Sequence, residues 1–312
     1  MMWLLGYWSA HAGLVAVSEF APIYLLDTRT FNSVDVGMIP LEYIAAGDMA
    51  FVAGSDTFVI AAYAYGYVPD CLLSFDLGTG LSVCQAMPFN AGVAQDDTGA
   101  IRYFPTYDVE YFPPGDTFLT LYSDIDEVDT LGNRTSFAPR PTGLGPSGHT
   151  LTWDEDLKLL WAFGPSLVED NAFALEPTNL TTVAYGRAPV YPFSGTGMYD
   201  NVPDQTPILF VSGTCPGELM VTVADATPGD TVEVVSGTRR GRTSAAGGPC
   251  RSARADLANA QRRATLTADA YGIATTRVQA TPAMCGSWMF QALDMGSCLT
   301  TEVRSVPPEV VP

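Results

Sequence analysis

The sequence predicts an all-β chain in two parts: a β-propeller of about five blades, or the C-terminal part of a larger one, followed by an immunoglobulin-like β-sandwich. Three observations predict it. A strand-and-turn unit recurs about every fifty residues through the first two thirds of the chain. Short strands of period two, carrying four of the six cysteines, fill the last third. Charge divides the same way: Thr214–Pro312 holds nine acids and nine arginines, whereas residues 1–213 hold 25 acids against six bases and carry the whole net charge of −19. The expected domains are a propeller over 1–213, a sandwich over 214–307 and a short tail over 308–312. The break falls after the apolar run Ile208–Gly213, where Thr-Cys-Pro-Gly217 interrupts regular structure.

The repeat is read from four segments, each an apolar strand meeting an acid and a turn: 24–31, 73–80, 126–133 and 173–180. Their acidic markers Asp27, Asp76, Asp129 and Glu176 are spaced by 49, 53 and 47 residues. Further strand pairs precede the markers, Met49–Val52 with Thr57–Ala62 and His149–Trp153 with Leu157–Ala162, joined by the turn-forming Gly54-Ser-Asp56 and Asp154-Glu-Asp156. A few short strands per unit, with glycine-rich turns, match one propeller blade, which cannot bury both faces alone. The chain starts inside a unit near Gly13 and leaves the repeat inside another near Val211, so pairing the two partial units would close a ring of five.

In the last third, Leu219, Val221 and Val223 fall on one face of a strand, and Val232 and Val234 continue a second after the turn at Ala226–Asp230. Segments 263–269, 272–278, 287–293 and 300–306 supply the rest, enough strands for a sandwich.

The phrases His149-Thr-Leu-Thr-Trp-Asp-Glu-Asp-Leu-Lys-Leu-Leu-Trp-Ala162 and Ala172-Phe-Ala-Leu-Glu-Pro-Thr-Asn-Leu180 resemble the repeat of secreted bacterial β-propeller proteins, over most of residues 13–211. From Cys215 to Cys298 the chain resembles a small cysteine-containing β-sandwich module found at the C-terminal end of secreted proteins of environmental bacteria, through Cys215-Pro-Gly, Ala226-Thr-Pro-Gly, Gly248-Pro-Cys, Ala283-Met-Cys-Gly286, Gln291-Ala-Leu-Asp and Ser297-Cys298. The resemblance implies fold and compartment and transfers no activity.

Cys71 and Cys84 flank the turn at 76–80 symmetrically, so a cross-strand disulfide is expected between them. Cys215, Cys250, Cys285 and Cys298 allow three pairings; a direct Cys285–Cys298 hairpin bond fits poorly, because the intervening turn centres near residue 295. None of the six has the two-to-four-residue spacing of a zinc site. Disulfides place the chain outside the cell or on its surface. The start Met1–Ala12 lacks a basic n-region, so a signal peptide is expected in a missing upstream piece.

Function is bounded first by exclusion. With Lys158 the only lysine and an excess of acid, the surface does not suit nucleic acid. No run of about 18 apolar residues codes a spanning helix. His11 and His149 are the only histidines, and no glycine-x-serine-x-glycine elbow or serine-x-x-lysine pair occurs, so no catalytic residue is assigned. Asp124, Asp126 and Asp129 could offer hard oxygens to calcium, the one cofactor the residues suggest, although glycine and the terminal glutamate of a helical calcium loop are missing. Arg239-Arg-Gly-Arg242 is the basic cluster, read as a solvated loop with docking to an acidic partner as the sharper alternative. Tyr63, Tyr65 and Tyr67, at strand spacing, with Tyr107 and Tyr111, are the candidate binding residues, since tyrosine stacks on sugars and grips proteins.

Together these predict an extracellular, non-catalytic recognition or scaffold protein that binds a glycan or protein of the cell surface through the propeller face. The alternatives are a metal-dependent propeller hydrolase or lyase, of the gluconolactonase or polysaccharide-lyase kind, and a self-assembling surface-structure subunit.

Overall fold

The structure, a computed structural model, describes residues 13–18, 22–26, 33–38, 43–52, 57–64, 71–76, 82–86, 92–106, 109–145, 150–155, 157–164, 172–187, 193–199, 207–244, 250 and 253–308. It is all-β: the described residues contain 27 strands and two single turns of 3₁₀ helix, at Pro113–Gly115 and Pro282–Met284. No helix among them is long and apolar enough to cross a membrane. The chain separates into two compact units, the first comprising Met1–Thr182 and Gly186–Pro203, the second Val183–Tyr185 and Asp204–Pro312.

Strands β1 (Gly13–Ser18), β2 (Pro22–Leu26) and β3 (Ser33–Met38) open the chain. Strands β4 (Tyr43–Val52), β5 (Thr57–Ala64), β6 (Cys71–Asp76) and β7 (Ser82–Ala86) form an antiparallel sheet in sequence order, followed by the two-stranded β8 (Gly92–Gln95) and β9 (Ile101–Phe104). Two more four-stranded sheets come next: β10 (Val109–Phe112), β11 (Thr117–Leu121), β12 (Ile125–Val128) and β13 (Arg134–Ala138), then β14 (Thr150–Asp154), β15 (Leu159–Phe163), β16 (Ala172–Leu175) and β17 (Thr182–Gly186). Strand β18 (Phe193–Tyr199) then returns to the start of the chain and pairs antiparallel with β1, Gly13 opposite Tyr199 and Val15 opposite Gly197, giving a sheet ordered β18-β1-β2-β3.

The first strand of each sheet order is a neighbour of the next in a complete cycle: β18 beside β4, β4 beside β8, β8 beside β10, β10 beside β14, and β14 beside β18. Burial follows this order outward. In the third large sheet β10 is mostly buried, while the fourth strand β13 is exposed over Arg134–Phe137. Strands β14, β15 and β16 are buried at every position, which is why Leu159-Leu-Trp-Ala-Phe163 reads as an unbroken apolar run rather than an alternating one. Neighbouring sheets pack through opposite faces of one strand: Val93 of β8 joins Ala50, Val59 and Leu72, whereas Ala94 joins Phe104, Val109 and Val128.

The acidic markers find their explanation in this order. Asp76 ends β6, Asp129 follows β12 and Glu176 follows β16, each the third strand of its sheet. Asp129 accepts the backbone N–H groups of Leu131 and Asn133 at 2.9 Å, and Glu176 those of Thr178 and Asn179 at 3.0 Å. The acid satisfies donors that the turn would otherwise leave unpaired. Asp27 lies outside the described residues. The longest spacing, 76 to 129, contains the extra hairpin β8–β9.

In the second unit β19 (Ile208–Gly213), β20 (Gly217–Ala224) and β25 (Ala274–Ala280) make one sheet, ordered β19-β20-β25. The strands between them in sequence are β21 (Thr231–Gly237), β22 (Arg240–Ser244), β23 (Arg254–Leu257) and β24 (Gln261–Thr267), and after them come β26 (Met289–Asp294) and β27 (Arg304–Ser305). The second sheet is ordered β24-β21-β26-β27, and β22–β23 is a separate hairpin. One core joins the two sheets: Leu219, Val221 and Val223 from the first, Val232, Val234, Phe290 and Ala292 from the second.

Three expectations change here. The break expected at Gly213 moves to about residue 204, because Ile208–Gly213 pairs along its whole length with Leu219–Ala224 and so begins the second unit. The strand expected over 300–306 shrinks to Arg304–Ser305, since the Thr301 hydroxyl takes the Ala292 N–H at 2.9 Å in place of a backbone carbonyl. Cys71 and Cys84 stay as thiols. Strand register sets Cys71 opposite Ala86 and Cys84 opposite Leu73, two residues out of step, with Cys71 buried and Cys84 exposed on the outer strand β7. The other four pair as Cys215–Cys285 and Cys250–Cys298, with Cα atoms 5.4 and 5.2 Å apart.

Candidate binding groove

Of the tyrosines expected to bind, Tyr111 is the one whose side chain is described. Tyr111 of β10 is only 8 % exposed; its ring lies 5.3 Å from that of Phe118 and its hydroxyl donates to Asp116 at 2.8 Å. Burial, then the acceptor Asp116, raise the phenol to about 12, so Tyr111 is a core tyrosine with a satisfied hydroxyl. Tyr63 lies on β5, opposite Ile44, and its side chain, like Tyr65, Tyr67 and Tyr107, lies outside the described residues. The exposed aromatics that are described include Tyr103 and Tyr122, the latter beneath the Arg134 guanidinium at 5.0 Å.

The acidic trio separates. Asp124 precedes β12 and Asp129 follows it, which puts them about 16 Å apart along an extended strand. Asp124 accepts the Arg140 N–H, and Asp129 is held below its usual range by the Asn133 amide and by N–H groups of its own turn. Among the described residues no group of three His, Cys, Asp or Glu side chains is arranged to hold a metal, and nothing in the structure supports calcium.

Asp96 and Asp154 are turn acids of the same kind. Asp96 is lowered to about 2, first by the Thr98 hydroxyl and against desolvation, with further bonds from Arg102 and the Ala100 N–H. Asp154 is fully buried and accepts the Leu157 N–H at 2.9 Å and the Trp161 indole at 3.2 Å. Asp294 completes the set. Burial pushes its carboxyl up, but donors from Thr227, Ser297 and Gly296 outweigh that and hold it low. Among the described residues, Asp96, Asp129 and Asp294 are thus kept ionised by the hydrogen-bond donors gathered around them.

A concave site forms instead in the second unit. Val232 and Val234 of β21 and Phe290 and Ala292 of β26 point into the core, so Glu233, Val235, Gln291 and Leu293 face the other way. Over that outer face sits the β22–β23 hairpin, leaving a groove of ≈ 330 Å³ beneath it. Its lining combines Val235, Leu293 and Ala255 with Arg262, Ser244 and Thr300.

Three devices hold the hairpin in place. Gln291, fully buried, accepts the Asp256 N–H and donates to the Thr301 carbonyl, both at 2.7 Å. The Thr243 hydroxyl donates to Leu257 O at 2.6 Å and accepts the Ala260 N–H at 3.1 Å. The Cys250–Cys298 disulfide ties the segment between β22 and β23 to the loop after β26. Besides Gln291 and Thr243, which are engaged in this way, the polar residues of the lining are Glu233, Arg262, Ser244 and Thr300. Arg262 is 63 % exposed and uses one nitrogen on Glu233 at 3.1 Å, which leaves further guanidinium donors.

The hairpin was legible only as the cluster Arg239–Arg242, read as a loop. In the fold Thr243 and Ala255, directly opposed, turn inward, while Arg254 and Asp256 are exposed on the other face; Arg240, across a bulge, lies opposite the buried Leu257.

No protein-family model matches the chain. No curated protein matches it either. Among solved structures it is similar to a protein of unknown function from Bacteroides caccae, at 10 % identity and a TM-score of 0.29, over 68 % of this chain and 82 % of that one. It is similar to an oligogalacturonate lyase in complex with manganese, at 12 % identity and a TM-score of 0.25, over 68 % and 58 % of the two chains. An oligogalacturonate lyase from Vibrio parahaemolyticus gives 10 % and 0.27, over 69 % and 74 %. Likenesses this slight carry no argument about what the chain does.

Proposed function

We propose that the chain is an extracellular, non-catalytic recognition or scaffold protein in which a five-bladed propeller carries an immunoglobulin-like sandwich, and that the sandwich groove takes the ligand, a glycan or protein of the cell surface. The cycle of first strands and the β18–β1 pairing support the propeller, with the two-stranded β8–β9 as its reduced blade. Sheets of three and four strands around one core support the sandwich. Two disulfides fit an oxidising compartment.

The observation that carries the recognition role is the groove under the pinned hairpin. It is concave, preformed and of the size that takes a small ligand or one or two sugar residues. Its buried polar groups fix its shape, as recognition requires.

The test is retention on a panel of insoluble cell-wall polysaccharides, with the supernatant assayed for new reducing ends. Retention without product release is the expected result. Steady release of product from any of them would overturn the non-catalytic role.

A further inference from the structure

The hairpin β8–β9 lies between two sheets of four strands and is itself two strands wide. Val93 and Ile101 pack on Ala50, Val59 and Leu72 of the sheet before it, whereas Ala94 and Phe104 pack on Val109 and Val128 of the sheet after it. Among the described residues no third or fourth strand continues outward from β9. The outer strands of the two neighbours therefore flank a notch about 10 Å deep, two strand spacings.

Ladder register shows what lines its walls, because directly opposed residues share a face. In the sheet before the hairpin, Val59 lies opposite Ser74 and Ser74 opposite Val83, and Leu72 lies opposite Gln85, with no bulge between them. Val83 and Gln85 of the outermost strand β7 thus stand on the face that carries Val59 and Leu72 against the hairpin, and both are exposed, Val83 by 70 %. Tyr103 of β9, opposite Val93, points back toward that wall and is 47 % exposed. In the sheet after the hairpin, Val128 lies opposite Arg134 and Asp126 opposite Ser136, so the exposed Arg134 and Ser136 belong to the wall that carries Val128 against the hairpin. Tyr122, 67 % exposed, lies under the Arg134 guanidinium. Three of the six large hydrophobics exposed among the described residues, Val83, Tyr103 and Tyr122, therefore surround one notch.

The floor of the notch is backbone. The Asp96 N–H on Ala100 O closes the hairpin, so the bonded pairs across it are Ala94–Arg102 and Gly92–Phe104, and the N–H and C=O groups of Ile101 and Tyr103 point outward. Arg102, the charge that would guard this edge, is folded back onto Asp96 at 2.6 Å. A second copy of the chain does not fit, because its own β9 is recessed by the same depth behind its own outer strands. An extended segment does. Added antiparallel to β9, it sets the residues that bond Ile101 and Tyr103 on the side of Val83, and the alternate residues toward Arg134. The polar partner of Arg134 is the Thr106 hydroxyl at 3.2 Å rather than a carboxylate, which leaves guanidinium donors for an acid. We infer that an extended segment of a partner protein completes this sheet by adding to β9, with apolar side chains against Val83 and Tyr103 and a carboxylate on Arg134. This surface lies in the first unit and stands apart from the groove proposed above.

The experiment is fluorescence anisotropy of the full chain with a labelled peptide that alternates valine and threonine and carries one glutamate in place of the central threonine. Two further peptides serve as comparisons: one N-methylated at its valines, whose amides are those that would bond β9, and one with lysine in place of the glutamate. The inference expects each of these to bind about tenfold more weakly than the parent peptide. Tyr103→Pro removes an outward donor that plays no part in the pairing with β8, and should lose about tenfold in affinity for the parent peptide. Arg134→Glu should exchange the preference, so that the lysine peptide binds more tightly than the parent; a merely structural role for Arg134 would not do this.

Equal binding of the N-methylated peptide would overturn strand addition, and binding unaltered in both variants would remove it from this notch. No saturable binding of the parent peptide below millimolar concentration would overturn the inference as well. Sedimentation of the chain alone is expected to show no association through this edge; a dimer that Tyr103→Pro abolishes would give the notch to a second copy in place of a foreign segment. None of these outcomes bears on the groove of the second unit.

Discussion

At the scale of single residues the chain uses its acids as turn-formers. Asp294 gathers four donors from Thr227, Gly296 and Ser297 around a side chain that is 1 % exposed. Replacing it by alanine strands buried donors, and Asp294→Ala is expected to cost about 3 kcal/mol in urea unfolding. The pH dependence follows in sign. A carboxyl held below 3.8 in the fold contributes stability that is complete above that value and is lost as pH falls through the folded value. Asp96, held at about 2, releases its share between 3.8 and about 2. The urea midpoint should therefore fall as acid is added below about pH 4, and less steeply in Asp294→Ala, a difference readable from midpoints at pH 5, 4 and 3. Other turn acids, Asp129 and Glu176, were visible in the sequence as a period. Their purpose was not, because a turn acid and a calcium ligand are the same residue until the donors around it are known, as at Asp129. Tyr111 misled for a related reason: strand spacing puts a side chain on a face, and only the neighbouring sheet decides whether that face is covered.

At the scale of elements the β22–β23 hairpin is held by one buried amide and one disulfide. Gln291→Ala removes both hydrogen bonds to Asp256 N and Thr301 O and is expected to destabilise the second unit by about 2–4 kcal/mol. Amide hydrogen exchange should speed up over 240–244 and 254–257 more than over β20. Replacing Cys250 and Cys298 by serine opens a crosslink of sequence separation 48, expected to lower stability by about 4 kcal/mol; an unchanged denaturant midpoint would show that the crosslink constrains nothing. Strands with a buried face were legible, since β14, β15 and β21 carry apolar runs or clean alternation. The hairpin was not, because outward arginines and a bulge between Arg240 and Thr243 erase its period. The Cys71–Cys84 bond failed on register alone, which turn composition does not fix to within two residues.

At the scale of the molecule, the fifty-residue period marked the four-stranded sheets. The extra hairpin β8–β9 escaped notice because it shifts the spacing by only a few residues. Strand β1 bonds on both sides, to β18 and to β2. Val15→Pro, in the middle of β1, removes a ladder donor and fixes φ, and should cost about 3 kcal/mol or more. The expected signature is a drop in the thermal midpoint far larger than that of proline at Ser136 on the exposed strand β13. Equal drops would mean that β1 contributes no more than an outer strand.

The pairing of Gly13 with Tyr199 also fixes the order of events in synthesis. Strand β1 cannot find this partner until nearly two hundred residues have followed it, so among the strand pairs this contact has the largest loop to close. Until then β1 is an exposed strand edge that any passing chain can template. Because β18 and β1 end side by side, the same feature allows the ring to be recut. Joining Tyr199 to Gly13 through a short linker and opening the first unit between β7 and β8 would make a circular permutant whose sheets each form from consecutive strands, and it should refold faster than the natural order.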